Sequence, residues 1–196
     1  NEDTRSVRFG DSGNKMYVLG RIGDMVYQYN LTSQYDILSA SYSGNSFSVT
    51  NQVADPRGLH FSPDGTKMFA TCGTLDDVAQ YTLSTAWDLS TASYASKSFD
   101  FNGQDTGPKE IRFNSTGSKM FVVGTGYDAV YRYSLSPSYD VSTASYDNNS
   151  YSVAGYETSP KDAELSPDGT KLYMLGSAQM TIYQFSLSTA WDLSSA

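Results

Sequence analysis

"FSPDGTKMFA", residues 61–70, reads as a strand, a tight turn and a second strand. Pro63 presets φ for a type I turn and Asp64 can bond to nearby backbone. Gly65 then supplies the left-handed residue that rejoins the next strand. The hairpin returns as "LSPDGTKLYM" at 165–174, and in altered form as "FGDSGNKMYV" at 9–18 and "FNSTGSKMFV" at 113–122. Working outward, Phe9, Phe61, Phe113 and Leu165 stand 52 residues apart. Gly13, Gly65, Gly117 and Gly169 keep that interval, and so do Lys15, Lys67, Lys119 and Lys171. Leu31, Leu83, Leu135 and Leu187 continue it without one insertion. A fixed period of this length marks a repeat architecture, here with copies over 1–52, 53–104, 105–156 and 157–196.

Each copy holds four segments with the alternation, β-branching and aromatics of strands, and none offers a helix of useful length. The first is short ("RSVRF", "KEIRF"). The second ("KMYVLG", "KMFATC", "KMFVVG", "KLYMLG") is apolar on both faces, as in a strand packed on both sides. The third is "MVYQYNL", "DVAQYTL", "AVYRYSL" or "TIYQFSL". The fourth, as in "SFSV" or "SFDF", alternates like an outer strand with one wetter face. Small sheets stacked face to face are the blades of a β-propeller. The expected fold is all-β, with four 52-residue, four-stranded blades in a single domain over 1–196. The last blade lacks its outer strand, because the fourth copy breaks off at "WDLSSA". An unclosed stack would expose apolar faces on both terminal blades. Closure as four blades, or as an eight-bladed ring of two chains in a homodimer, is therefore expected, with a larger propeller cut short as the third option.

The S-P-D-G-T-K hairpin followed by an aromatic third strand resembles the propeller superfamily that includes YVTN-type surface proteins and lactonase-like propellers. The resemblance covers essentially the whole chain. It implies the fold, and it leaves binding, scaffolding and catalysis all open. The Trp-Asp pairs at 87–88 and 191–192 become Tyr-Asp in the other copies and fall in a loop, unlike those of WD repeats.

Composition narrows the function classes. A formal charge of −8 over 196 residues argues against general binding to nucleic acid or anionic membrane. No apolar run approaches the roughly 18 residues of a membrane span, so no membrane insertion is expected. The single cysteine, Cys72, excludes an internal disulfide framework. The chain starts at "NEDTRSVRF", without an initiator Met or a signal-peptide pattern. It reads as a piece of a longer frame, expected at the cell surface or outside the cell.

The repeated polar residues are first explained by scaffold. Asp36, Asp88, Asp140 and Asp192 each follow an aromatic and suit side-chain capping of a turn. Cys72 takes the slot of Gly20, Gly124 and Gly176, as a small buried thiol would. Arg5, Arg57, Lys109 and Lys161 begin the innermost strands and form either an anion site or surface ion pairs, with Glu110, Asp162 and Glu164 as candidate carboxylates. His60 is the only histidine, too few for a multi-histidine zinc site. The loops after the second strands carry Asp24, Asp76, Asp77 and Asp128, with Met180 in the fourth copy. Such oxygen-rich loops are where Ca²⁺ would sit, although no EF-hand ligand run is present and no cofactor is called for. No catalytic constellation is recognisable.

The hairpin end of each copy is nearly uniform, whereas the opposite loops differ: "RIGD", "GTLDD", "TGYD" and "SAQM", with "TNQVADP", "NGQDTGP" and "AGYETSP". An asymmetric ligand needs different groups from different blades. The expected ligand site is therefore Asp76, Asp77, Tyr127, Asp128 and Tyr156 with the basic residues Arg5, Arg57, Lys109 and Lys161. The leading function is a non-enzymatic recognition, adhesion or scaffolding module for a protein or glycan. The alternatives are a lactonase-like hydrolase and a glycan-binding module.

Overall fold

The computed structural model describes residues 3–196; Asn1 and Glu2, at the head of the first copy, lie outside the described residues. Among the described residues, fifteen strands form four separate antiparallel sheets, each a simple meander in chain order. The first sheet is β1 (Thr4–Gly10), β2 (Lys15–Gly20), β3 (Met25–Leu31) and β4 (Ala40–Ser48). The second is β5 (Pro56–Phe61), β6 (Lys67–Cys72), β7 (Asp77–Leu83) and β8 (Ala92–Asp100). The third is β9 (Ile111–Phe113), β10 (Lys119–Gly124), β11 (Ala129–Ser134) and β12 (Ser145–Ser152). The fourth has three strands, β13 (Pro160–Leu165), β14 (Lys171–Gly176) and β15 (Ile182–Ser186). These are the four blades of a β-propeller, the last without an outer strand. No described helix is long and apolar enough to cross a membrane.

The chain divides into two compact units, Asn1–Ser98 with the first two blades and Phe99–Ala196 with the last two. Each unit has its own packed junction between blades. In the first, Tyr17, Leu19 and Val26 meet Leu59, Phe61, Met68 and Leu89 in one buried cluster. In the second, Phe121, Val123 and Val130 meet Ala163, Leu165, Leu172 and Leu193. Fully burying one such Leu stabilises by roughly 2 kcal/mol.

The opening hairpin is built as its sequence predicts. Gly65 N–H donates to Ser62 O at 2.9 Å, and Asp64 accepts from Ser62 Oγ and from Thr66 N–H. Ser166 and Asp168 repeat the pattern. The glycines do more than turn the chain. Gly65 and Gly169 lie at φ +68° and +72°, and an added Cβ would stand 2.3 Å from the rings of Trp87 and Trp191. The backbone is also tied here, with Trp87 N–H on Gly65 O and Trp191 N–H on Gly169 O. The aromatics themselves adopt positive φ in every copy: Tyr35 60°, Trp87 63°, Tyr139 55° and Trp191 64°. For bulky residues this is a strained region that surrounding structure must impose.

One boundary differs from the sequence expectation. The fourth strands begin at Ala40, Ala92 and Ser145, well before "SFSV" and its equivalents. A bulge hides this continuity, because it breaks the alternation that a strand is read from. The register shifts between Tyr27 and Tyr29 and between Arg132 and Tyr133. At the equivalent positions Gly44, Ser96 and Asn148 all have positive φ. The aspartates before these strands cap short 3₁₀ turns as expected: Asp36, Asp88, Asp140 and Asp192 accept from the N–H of Leu38, Ser90, Ser142 and Ser194.

Candidate functional site

The variable loops are anchored differently in the two units. In the first, charge does the work. Arg5 pairs with Asp3 at 2.8 Å, Arg21 with Asp3 at 3.1 Å and Asp55 at 2.5 Å, and Arg57 with Asp55. This chain of alternating charges ties the loop after β2 to the segment that enters β5. Burial raises the Asp55 pKa, but hydrogen bonds from Arg21 and Arg57 outweigh it and hold the carboxyl below its usual range. Gly73 N–H donates to Asp55 O, and Thr74 Oγ1 donates to Ala54 O. Asp76 sits at the left-handed turn position (φ 55°), and Asp77 is the first residue of β7. Arg5 and Arg57 are thus engaged by Asp3 and Asp55, partners that differ from the candidate carboxylates of the sequence.

In the second unit, enclosed carboxylates hold the loops. Asp105 accepts from Gly126 N–H at 2.6 Å and Tyr127 N–H at 3.1 Å. Glu157 accepts from Ala178 N–H and Gln179 N–H, both at 3.0 Å. Both acids are buried, so the bonds that each accepts offset the cost of taking a charge out of water. Room for them comes from glycine. A Cβ on Gly124 would stand 2.4 Å from Asp105, and one on Gly176 would meet Glu157 at 1.9 Å. In the second blade the same two positions hold Cys72 and Val53, both buried, and the Cys72 thiol donates to Ala54 O. The small buried thiol fills a space that a carboxylate occupies elsewhere.

Asp128 takes the left-handed position next to Tyr127 (φ 51°). Burial, then the charges of Asp105 and Glu157, raise its carboxyl above the ordinary value. Tyr127 is exposed at the loop tip, while Tyr156 packs on Tyr183 and Phe185 beside β15. Lys161 is exposed on β13, at the register shift that begins that strand. Lys109 precedes β9, its N–H on Val123 O. The carboxylates Glu110, Asp162 and Glu164 all converge on buried Arg112, at 2.9, 2.7 and 2.6 Å. Among the described residues, no group of three or more His, Cys, Asp and Glu is placed to hold a metal ion.

The predicted site residues therefore fall into two sets. Arg5, Arg57, Asp76 and Asp77 belong to the first unit, and Lys109, Tyr127, Asp128, Tyr156 and Lys161 to the second. Residues missed by sequence reasoning are the anchors, Asp105 and Glu157, and the exposed apolar tips Ile22, Leu75 and Met180. The anchors had a signal: a Gly–acid pair in two copies becomes a Cys–Val pair in another.

No family model and no curated protein matches the sequence. Solved structures do. A functionally unknown protein from Desulfotomaculum acetoxidans DSM 771 superposes with a TM-score of 0.67 at 14% identity, over 96% of this chain and 56% of that one. The periplasmic gluconolactonase of Pseudomonas aeruginosa gives 0.61 at 16% identity, over 94% and 50%. The Swd1 β-propeller domain from Myceliophteria thermophila gives 0.56 at 11%, over 94% and 54%. At these identities the likeness is one of fold, and that fold is the β-propeller. The chain spans about half the length of these structures.

Proposed function

We propose that the chain is a non-enzymatic recognition module that binds a protein partner through its variable loops. The observation that carries this reading is the pairing of firm anchors with unlike tips. Each loop is tied down, by ion pairs at Ile22, by Gly73 N–H and Thr74 Oγ1 bonds to main-chain carbonyls at Leu75, and by carboxylate-to-backbone bonds at Tyr127 and Met180. Yet those four exposed side chains are all apolar or aromatic. Held rigidly, such side chains lose little entropy on binding, and apolar or aromatic anchors dominate protein interfaces. Parallel screens against a displayed surface-protein library and a glycan array test it. A protein ligand weakened by Leu75→Asp or Tyr127→Asp, and unaffected by Asp64→Ala, is expected. Binding confined to glycans, and sensitive to Tyr127 and Tyr156, would move the reading to a glycan-binding module.

A second reading, a lactonase-like hydrolase, is supported by the likeness to the gluconolactonase. Acid release from gluconolactone in weakly buffered solution measures it. Turnover that survives Leu75→Asp and Tyr127→Asp would favour hydrolysis over recognition.

A further inference from the structure

The turn that leads into the third blade carries a reactive dipeptide. Of the nine asparagines in the chain, Asn102 alone is followed by glycine. Both residues are exposed, between buried Phe101 and buried Asp105. Gln104 N–H and Asp105 N–H donate to Phe101 O at 3.0 and 3.3 Å, so both bonds close over the Asn102–Gly103 link. Gly103 N–H makes no hydrogen bond among the described residues, and an added Cβ there would meet nothing within 4 Å. Its nitrogen is therefore accessible to solvent base, and no side chain of its own bars approach to the Asn102 amide. The linkers before the second and fourth blades form the same turn, closed on Val49 O and Val153 O. They hold Thr50-Asn51 and Ala154-Gly155 in its place. The turn as such does not require Asn102.

We propose that Asn102–Gly103 is a self-modifying site, which converts to isoaspartate in the folded protein and so releases the loop held by Asp105. The Gly103 main-chain nitrogen attacks the Asn102 side-chain carbonyl carbon. A C–N bond forms there, the bond to the amide nitrogen breaks, and ammonia leaves with the proton that Gly103 gives up. The resulting succinimide takes up one water. Opening at the main-chain carbonyl gives isoaspartate, and opening at the side-chain carbonyl gives aspartate; neither needs an oxidant or a reductant. Isoaspartate routes the main chain through the side-chain carbons, which adds one atom inside both rings closed on Phe101 O. It also leaves a new carboxylate beside Asp100, whose own carboxylate accepts from Asn102 N–H at 2.8 Å. Like charges so close repel. Two fixtures follow directly in the chain. Gln104 Oε1 accepts from Tyr133 OH at 3.2 Å, and Asp105 accepts from the N–H groups of Gly126 and Tyr127. A turn that loses its bonds to Phe101 O no longer holds either in place.

The test incubates the folded 196-residue chain at mildly alkaline pH. It follows intact mass, isoaspartate by enzymatic methyl labelling with peptide mapping, and amide hydrogen exchange. A gain of about 1 Da per chain is expected, with isoaspartate mapped to position 102. In the modified fraction, exchange at Gly126 and Tyr127 should accelerate by roughly tenfold or more. Asn102→Ala, which places there the residue of the equivalent Ala154, should keep the native circular dichroism and gain no isoaspartate at 102. Gly103→Ala should slow the reaction by on the order of tenfold, because a Cβ then hinders the attacking nitrogen. A folded chain that forms no isoaspartate, while the same chain in urea does, would overturn the site. Isoaspartate at 102 with unchanged exchange at Gly126 and Tyr127 would overturn the release. Equal modification at the other asparagines would overturn the selectivity of the turn.

Discussion

The junctions inside the two units answer one backbone problem with different side chains. Where the aromatic loop of one blade docks on its neighbour, a carbonyl and an N–H are taken out of water and need partners. In the first unit Tyr17 OH and Lys15 Nζ donate to Trp87 O at 2.6 and 3.1 Å, and Gln28 Oε1 accepts from Leu89 N–H at 2.9 Å. In the second, Phe121 replaces the tyrosine and has no hydroxyl. Arg132, in the place of Gln28, donates to Trp191 O at 2.7 Å. It can accept nothing, so Asn149 Oδ1 takes the Leu193 N–H at 2.9 Å. The bulge in the outer strand aims Asn149 at this loop, and Asn45 at the equivalent Asp88. What persists between the units is the list of groups to be satisfied, not the residues that satisfy them.

The largest expected effect tests what the two junctions share. Gly65→Ala or Gly169→Ala should each cost about 3 kcal/mol or more, because positive φ and ring overlap act together. Gly13→Ala should cost less, since the Tyr35 ring that it would strike is exposed rather than enclosed. Gly103→Ala, with nothing within 4 Å of the added Cβ, should stay within about 0.5 kcal/mol. Urea unfolding reads all four. A difference between Gly65 and Gly169 would break the claim of a common device.

Next comes the exchange of solutions. Arg132→Gln should cost about 2 kcal/mol, because it removes the Arg132 donor from Trp191 O and one of the three donors to the Asp147 carboxylate, which Lys119 and Ser134 still reach. In a Phe121→Tyr background, where a hydroxyl stands in the place of Tyr17, the loss should shrink by about 1 kcal/mol in a double-mutant cycle. In the first unit, Tyr17→Phe should cost about 1 kcal/mol, with Lys15 still reaching the same oxygen.

Smaller effects belong to single carboxylates. Hydrogen bonds from Ser166 and then Thr170 lower the Asp168 pKa to about 2. Because the folded value lies below the unfolded one, the contribution is complete above the ordinary carboxylate pKa and is lost as pH falls toward 2. Carboxyl NMR should follow that titration, and Ser166→Ala should move it upward. Asp128 is displaced the other way by burial and by Asp105 and Glu157. Its stabilisation is present at low pH and fades as pH rises through the folded value. Asp128→Asn, which also suits the left-handed turn, should therefore raise stability at neutral pH by about 0.3 kcal/mol, solvent screening keeping the gain small.

The blades were legible because a 52-residue period repeats both strand pattern and turn chemistry. The capping role of Asp36 and its equivalents, the burial of Cys72 and the three-stranded last blade followed from the same alignment of copies. The early start of the fourth strands did not, because a bulge with Gly44, Ser96 or Asn148 interrupts alternation. Nor did the Arg132–Asn149 exchange. It appears in sequence as unrelated substitutions until the loop of the next blade is set against them. The loop anchors stayed hidden because acidic residues in linkers read as solvated, whereas Asp105 and Glu157 are enclosed. Tyr127 stands in a loop whose variation from copy to copy is visible in the sequence, but the apolar tips Ile22, Leu75 and Met180 carried no signal of their own.

The seating of an aromatic ring on each hairpin glycine also equips the protein with its own optical labels. The chain has two tryptophans, Trp87 in the first unit and Trp191 in the second, each pressed against its glycine. Replacing either by the tyrosine that other copies use would leave a single indole reporting on one unit. Emission recorded during unfolding of the two single-tryptophan proteins would then follow the two halves of the chain separately, without any attached dye.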